Sequence, residues 1–242
     1  TNLPSKAPSM TTRQEEQAPR YAIIVAGGKG LRMQTDLPKQ FLPLRGRPVL
    51  MHTMECFRGL VDKVVLVLPS EQVHYWAGLC EEQDFDLPHT IAPGGTTRFA
   101  SVRNGLAELP SSGLVAIHDG VRPFASPTLI EACFQMAERR GAAIPAIPLT
   151  DSLRIRIGDE VSQAVDRSAY VSVQTPQTFC LEAIKRAYEA PFSPTFTDDA
   201  SVYEASEQGT ISLIPGEATN IKLTTPLDLK LAELLLDQDP LP

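Results

Sequence analysis

The sequence predicts an α/β protein with a mostly parallel sheet flanked by helices, and three observations carry that prediction. Short, continuous apolar runs recur along the chain, as in strands buried on both faces. Amphipathic helical spacings separate those runs, which implies βαβ units. One segment breaks the alternation with a polar-apolar period of two, the mark of a hairpin exposed on one face.

The first run, Tyr21-Ala-Ile-Ile-Val-Ala26, opens the ordered chain, and Lys63-Val-Val-Leu-Val-Leu68, Leu114-Val-Ala-Ile-His118 and Ala142-Ala-Ile-Pro-Ala-Ile147 follow in the same style. Between them, Val49, Leu50, Thr53, Met54 and Phe57 recur at three- and four-residue steps, as do Val102, Leu106 and Leu109, so each set can cover a sheet face. Ser126-Pro127 pairs an N-cap residue with a proline at the first helical position, ahead of a helix over 129–140. Thr225-Pro226-Leu227-Asp228 repeats that signal with an acid three residues after the cap and opens the last helix through Leu236. The exception is Ser152-Leu-Arg-Ile-Arg-Ile157, a Gly158-Asp159 turn, then Glu160-Val-Ser-Gln-Ala-Val165. It reads as a β-arm, packed either on a second copy of the chain or back on its own domain, because an isolated two-stranded hairpin is marginal in water. Residues 1–20 are polar and proline-containing and read as a disordered leader.

The chain has 242 residues, 22 Lys plus Arg against 29 Asp plus Glu, and a net charge of −7. That balance argues against a general nucleic-acid or anionic-membrane surface, while leaving room for a local basic pocket. No run approaches the roughly 20 apolar residues of a membrane helix, and no apolar signal core follows a basic start, so a cytoplasmic protein is expected. Cys56, Cys80, Cys133 and Cys180, like the four histidines, are too scattered for a zinc site. Reduced, mostly buried thiols are expected.

Four segments carry candidate chemistry. Val25-Ala-Gly-Gly-Lys-Gly-Leu-Arg-Met33 is a glycine turn after the first strand, where backbone N–H groups can approach an anion. It matches neither the dinucleotide fingerprint nor a Walker A loop, and alone it reads more readily as a tight turn. Charge tilts the balance: from residue 22 to 50 there are five cations, Lys29, Arg32, Lys39, Arg45 and Arg47, against one acid, Asp36. Pro93-Gly-Gly-Thr-Thr-Arg-Phe-Ala-Ser-Val102 offers N–H groups and Ser101 to a flat heterocycle, although its residues alone read as a capped helix start. Ile117-His-Asp-Gly-Val-Arg-Pro-Phe124 places Asp119 at the carboxyl end of a parallel strand, where ligands bind and a carboxylate can hold Mg²⁺. Arg122 can pair with Asp119 or turn its fork to a phosphate, and His118 reads as a core or orienting residue. Late in the chain, Thr197 is a helix cap or phosphate donor, and Lys222 stands on a short strand.

Taken together, Ala26-Gly-Gly-Lys-Gly-Leu-Arg-Met, Pro38-Lys-Gln-Phe-Leu, Gly94-Gly-Thr-Thr-Arg-Phe-Ala-Ser-Val, His118-Asp-Gly-Val-Arg-Pro, Val165-Asp-Arg, Gln174-Thr-Pro-Gln and Asn220-Ile-Lys-Leu-Thr resemble the 2-C-methyl-D-erythritol 4-phosphate cytidylyltransferases. The resemblance spans the ordered chain in the family's order. It implies a Rossmann-like nucleotidyltransferase domain over 21–242 with 149–172 as a dimerisation β-arm, Mg²⁺ as cofactor, and a homodimer. The implied reaction joins CTP to the methylerythritol phosphate acceptor with release of pyrophosphate, in isoprenoid precursor synthesis.

By the same resemblance Arg32, Lys39 and Lys222 are the catalytic cations around the triphosphate. The CTP set is Ala26, Gly27, Gly28, Lys29, Gly95, Thr96, Ser101, Asp119 and Gly120. The acceptor set is Asp119, Arg122, Ser152, Arg167, Thr197 and Lys222, with Arg167 reaching the partner subunit's acceptor and Asp119 holding the metal. Two departures stand out: Ser152 replaces a usual threonine, and Thr219 stands where some relatives have an acid. A ribitol 5-phosphate cytidylyltransferase shares these motifs and is the alternative. More distant are a UTP- or GTP-dependent sugar-phosphate enzyme and a catalytically silent nucleotide-binding subunit.

Overall fold

The computed structural model describes residues 17–27 and 37–238. The expected leader therefore lies outside the described residues for 1–16, and its last residue belongs to the fold. Strand β1 (Arg20–Val25) starts at Arg20, which is only 7% exposed: its backbone N–H donates to Asp62 Oδ2 at 2.8 Å and its guanidinium forks onto Glu131 at 2.6 and 3.1 Å. A side chain so placed is part of the sheet's end, not of a tail.

The chain continues through β2 (Pro43–Leu44), β3 (Arg47–Pro48), α1 (Val49–Glu55), β4 (Lys63–Leu68), α2 (Val73–Glu82), β5 (Thr90–Pro93), α3 (Arg98–Ala107), β6 (Leu114–Asp119), α4 (Pro127–Arg140) and β7 (Ala142–Pro148). Then come β8 (Arg154–Arg156), β9 (Ser162–Ala164), β10 (Val171–Val173), β11 (Gln177–Cys180), α5 (Leu181–Ala187), α6 (Asp199–Ala205), β12 (Ser212–Pro215) and α7 (Pro226–Gln238). β5, β4, β1 and β6 form a parallel run in that spatial order. β11 lies antiparallel between β6 and β7, β10 is antiparallel to β7, and β12 is parallel to it. The sheet is mostly parallel, as expected, but its antiparallel half was not readable: β10 and β11 have three and four residues and flank Pro176.

The apolar runs are continuous because both sheet faces are covered. Ala22 and Ile24 enter a core with Leu50, Met54, Phe57 and Phe134, while Tyr21 and Ile23 enter a second one with Val65, Val102, Leu106 and Phe179. Each fully buried branched side chain contributes about 1.5–3 kcal/mol. The Ser126 cap is formed, its hydroxyl accepting from Leu129 N at 3.0 Å, and Thr225 and Asp228 close the start of α7 reciprocally, with Thr225 N–H on Asp228 Oδ2 at 2.7 Å. Among the described residues β8 and β9 pair only with each other, and the expected hairpin strands are trimmed to three residues each. The thiols are more open than expected: Cys133 is buried, whereas Cys56, Cys80 and Cys180 are half-buried. No helix among the described residues is long and apolar enough to cross a membrane.

Candidate active site

After β1 the sheet grows to β4 and β5 on one side, then the chain returns to place β6 on the other. The carboxyl ends of β1 and β6 therefore form a topological switch point, the crevice where open α/β sheets bind ligands. Val25 pairs in register with Asp119, so Ala26 and Gly27 leave β1 beside the carboxylate that ends β6. A cleft of about 220 Å³ opens there, and it gathers Ala26, Gly27, Lys39, Gly95, Thr96, Ser101, Asp119 and Lys222 from the sequence-derived set. Gly28, Lys29 and Arg32 lie outside the described residues.

Asp119 is the electrostatic centre. Lys222 Nζ lies 2.9 Å from its Oδ2, Arg122 Nε 3.4 Å from the same oxygen, and Arg98 Nε 3.7 Å from Oδ1. Burial alone pushes a carboxyl up, but Arg98, Lys222 and Arg122 overturn that effect and hold Asp119 well below the usual carboxylate range. The carboxylate stays charged, and three cations are held together that would otherwise repel one another.

Lys222 is not on a strand as the sequence suggests. It lies in an irregular stretch before α7, tied down by Leu223 N–H donating to Val121 O at 2.9 Å and by Arg122 Nη1 donating to Asn220 O at 2.8 Å. Asn220 is fully buried, and its Nδ2 donates to Thr175 O at 2.9 Å. Its neighbour Thr219 is exposed and supplies no second carboxylate.

His118 orients this cluster, as its sequence position suggests. Asp119 N–H donates to Thr175 Oγ1 at 3.1 Å, Thr175 lies 2.9 Å from His118 Nδ1, and His118 Nε2 lies 2.9 Å from Arg122 O. A neutral ring protonated on Nε2 satisfies every partner: it donates to Arg122 O and accepts from the Thr175 hydroxyl. Burial lowers His118 to about 4, so the neutral form holds at pH 7.

The opposite wall is the Gly94–Thr97 turn. The capped-helix reading holds, since Thr97 caps α3, accepting from Ala100 N at 3.0 Å, and the turn also lines the cleft. Gly95 packs so closely that a Cβ there would meet Ala100 C at 2.9 Å and Ser101 N at 3.0 Å. Ser101 Oγ accepts from Gly95 N–H at 3.0 Å and donates to Thr97 O at 3.0 Å, so its proton is spent within the wall and only an acceptor position is left for a ligand. Gly120 does not line the cleft; a Cβ on it would crowd Val25 O at 3.0 Å and Ala26 Cβ at 3.1 Å, so its role is to let β6 turn against β1.

The acceptor set is only partly assembled. Arg122 joins Asp119 behind the cleft lining, but Ser152, Arg167 and Thr197 are exposed and do not line it. Arg167 Nη1 donates to Thr150 O at the root of the arm. Thr197 is not the cap of α6: Asp198 is, in a capping box with Ser201, and a carboxylate is the better acceptor there.

Two cleft residues escaped the sequence reading. Arg98 points both forks at Asp199, at 2.9 and 2.7 Å, and Tyr188 Oη donates to the same carboxylate at 2.6 Å. Gln40 is 1% exposed in the wall. Both stand inside motifs quoted for other residues, and only tertiary contacts single them out. Among the described residues no group of three or more His, Cys, Asp or Glu gathers as a metal cage.

Comparison with known proteins adds an independent line. A family model described as 2-C-methyl-D-erythritol 4-phosphate cytidylyltransferase matches residues 21–238. The chain is 57% identical over 217 residues to the protein of that name from Porphyromonas gingivalis, covering 90% of this chain and 97% of that one. It is 52% identical over 216 residues to the one from Bacteroides thetaiotaomicron, covering 88% and 98%. A solved 4-diphosphocytidyl-2C-methyl-D-erythritol synthase from Anaerococcus prevotii superposes with a TM-score of 0.77 at 30% identity, covering 91% of this chain and 96% of that one.

Proposed function

The chain belongs to the 2-C-methyl-D-erythritol 4-phosphate cytidylyltransferase family, and from that premise we propose how its cleft performs the reaction. The enzyme transfers CMP from CTP to 2-C-methyl-D-erythritol 4-phosphate, giving CDP-methylerythritol and pyrophosphate, a step of non-mevalonate isoprenoid precursor synthesis. An acceptor phosphate oxygen bonds to the α-phosphorus of CTP, and the bond from that phosphorus to the bridging oxygen of pyrophosphate breaks. The nucleophile is already anionic, so no base is needed. His118, buried with both ring nitrogens engaged, is accordingly left to orient.

What this step requires is in-line positioning and neutralisation of charge on the transferring phosphoryl group. The observation that carries the reading is the pairing of Lys222 with Asp119 at the switch point, in the cleft that Lys39 and Gly95 also line. Lys222 and Lys39 are the cations facing the triphosphate, and Arg32 belongs with them by motif. The Gly27 and Gly95–Thr96 backbones receive the base.

Asp119 suits Mg²⁺: it lines the cleft as a carboxylate held in its charged form, and one or two carboxylates with phosphates and water are that ion's usual donors. Asp119 would be its protein ligand, and the ion would supply positive charge to offset that of the phosphates.

The assembly we propose is a homodimer through the 149–172 arm. Ile155, Ile157, Val161 and Tyr170 are 53, 61, 59 and 50% exposed, and a two-stranded hairpin with that much apolar surface needs a partner. In that dimer Arg167 reaches the other subunit's acceptor, and Arg122, Ser152 and Thr197 complete the acceptor site. Arg167→Ala then raises acceptor KM about tenfold or more with CTP affinity nearly unchanged; equal loss of both in steady-state kinetics rejects the assignment. A cytoplasmic location accords with four free cysteines.

The function is tested by pyrophosphate release from CTP and Mg²⁺ with methylerythritol 4-phosphate and ribitol 5-phosphate in parallel. Turnover with the former alone is expected. The relatives described above favour it, and turnover with ribitol 5-phosphate alone moves the chain to polyol-phosphate activation.

A further inference from the structure

Strand β12 ends at Pro215, and the chain from Gly216 to Thr225 reaches α7 without helix or strand. Lys222 lies in this stretch. Its ammonium stands on a flexible four-carbon stem, so the place of the charge depends on how the backbone beneath it is held. Gln174, the residue after β10, is 4% exposed, and its own N–H donates to Pro145 O at 2.8 Å, which fixes it to β7. Its amide closes on the backbone of Glu217 from both ends: Nε2 donates to Glu217 O at 2.7 Å, and Oε1 accepts from Glu217 N–H at 3.1 Å. A backbone carbonyl only accepts, so the first bond settles which end of the amide is nitrogen. Oε1 also accepts from Asn220 Nδ2 at 3.3 Å, and Asn220 N–H donates to Glu217 O at 3.1 Å to close a turn. Ser126 bonds the Glu217 carboxylate and Arg122 the Asn220 carbonyl, but among the described residues Gln174 is the side chain that bonds both ends of that turn.

We infer that Gln174 is a positioning residue for the cytidylyl transfer: it fixes the 217–220 turn and through it sets the Lys222 ammonium at Asp119. The inference rests on the reading of Lys222 as a catalytic cation and deepens it. Gln174 does not line the cleft, so it acts only through what it holds. Ala218 and Thr219 are exposed, and a turn so open to solvent can satisfy its backbone from water. Burying an amide to hold that turn gives it one definite place instead. A cation that stabilises a transferring phosphoryl group has to stand in place before the reaction, and a misplacement of about 1 Å is enough to lose up to about 10²-fold in rate.

The test measures kcat and both KM values for the unmodified enzyme, Gln174→Met, Lys222→Ala and the double variant. Methionine keeps the volume and removes both polar ends. Gln174→Met is expected to lower kcat about tenfold while the KM for CTP moves less than about twofold. In the Lys222→Ala background the same substitution is expected to change kcat less than about twofold, since the group it places is gone. A role confined to folding lowers kcat by the same factor in both backgrounds and overturns the inference, as does an unchanged kcat in Gln174→Met. Should a thermal melt show that Gln174→Met does not fold, Gly216→Ala decides. A Cβ on Gly216 would meet Gln174 Oε1 at 2.6 Å, its tightest contact, so the methyl dislodges the amide with Gln174 still present and the same two factors are expected. An unchanged kcat in Lys222→Ala overturns the inference together with the catalytic reading of Lys222. An unmodified enzyme that releases no pyrophosphate from CTP and the acceptor overturns the function itself.

Discussion

Lys222→Ala is expected to lower kcat by about 10²–10³-fold while moving the KM for CTP less than tenfold. The reason lies in what Lys222 can and cannot be doing in the resting enzyme. Its ammonium is 2.9 Å from Asp119 Oδ2, yet its side chain is 41% exposed, so the pair is reachable from the cleft and contributes little to folding. Asp119 keeps Arg122 and Arg98 when the lysine is gone, and the carboxylate stays compensated. The unfolding midpoint therefore moves by only a few degrees. The loss falls on the transition state, where negative charge shifts toward the departing pyrophosphate and a point cation is worth most. Lys222→Arg keeps the charge but spreads it over a planar fork, and it recovers only part of the rate. A variant with unchanged kcat and a raised KM would make Lys222 a ground-state binder and remove it from the catalytic set.

The fold was legible where local pattern and tertiary environment agree. Ile23 and Ile24 point to opposite faces, both fully buried, and a run that is apolar at successive positions says so directly. The Ser126 and Thr225 helix starts were legible because a cap is a contact between residues three apart. β10 and β11 were not: three- and four-residue strands have too few positions to show a period, and their pairing with β7 and β6 is a long-range event. Arg20 was assigned to a tail because its neighbours are polar. Its burial comes from Glu131 on α4, far along the chain.

The site divides in the same way. Asp119 was recognisable as the last residue of an apolar run, where an acid has no reason to be unless something meets it. Thr197 and Asp198 are adjacent potential caps, and only the geometry of the α6 start decides for the carboxylate. Lys222 was found by motif and misplaced on a strand, because its alternation with Ile221 and Leu223 reflects packing against Val121 O and the α7 region, not a ladder. Arg98 and Gln40 were invisible for a physical reason. An arginine after a cap and a glutamine after a lysine are ordinary surface residues until Asp199 and Ala26 arrive from elsewhere in the chain.

Asp199→Asn is expected to destabilise the protein by about 3 kcal/mol, the largest effect on stability among the changes considered. Asp199 is fully buried and receives two guanidinium bonds from Arg98 and the Tyr188 hydroxyl. An asparagine can accept with one end only and turns an N–H₂ toward a cation or a hydroxyl. Arg98 keeps Asp119 at 3.7 Å as a second partner and has a side chain 31% exposed, which keeps the cost at the low end of the range for breaking a buried pair. Tyr188→Phe, which removes one neutral donor from the same carboxylate, costs about 1 kcal/mol. If the pair is held for its geometry, Arg98→Met with Asp199→Leu recovers most of the stability, since no buried charge is stranded, while kcat/KM stays low because the cleft has lost its Arg98 wall. Urea unfolding of the four proteins measures this, and a loss below about 0.5 kcal/mol for Asp199→Asn would show that solvent or Asp119 already satisfies Arg98 without it.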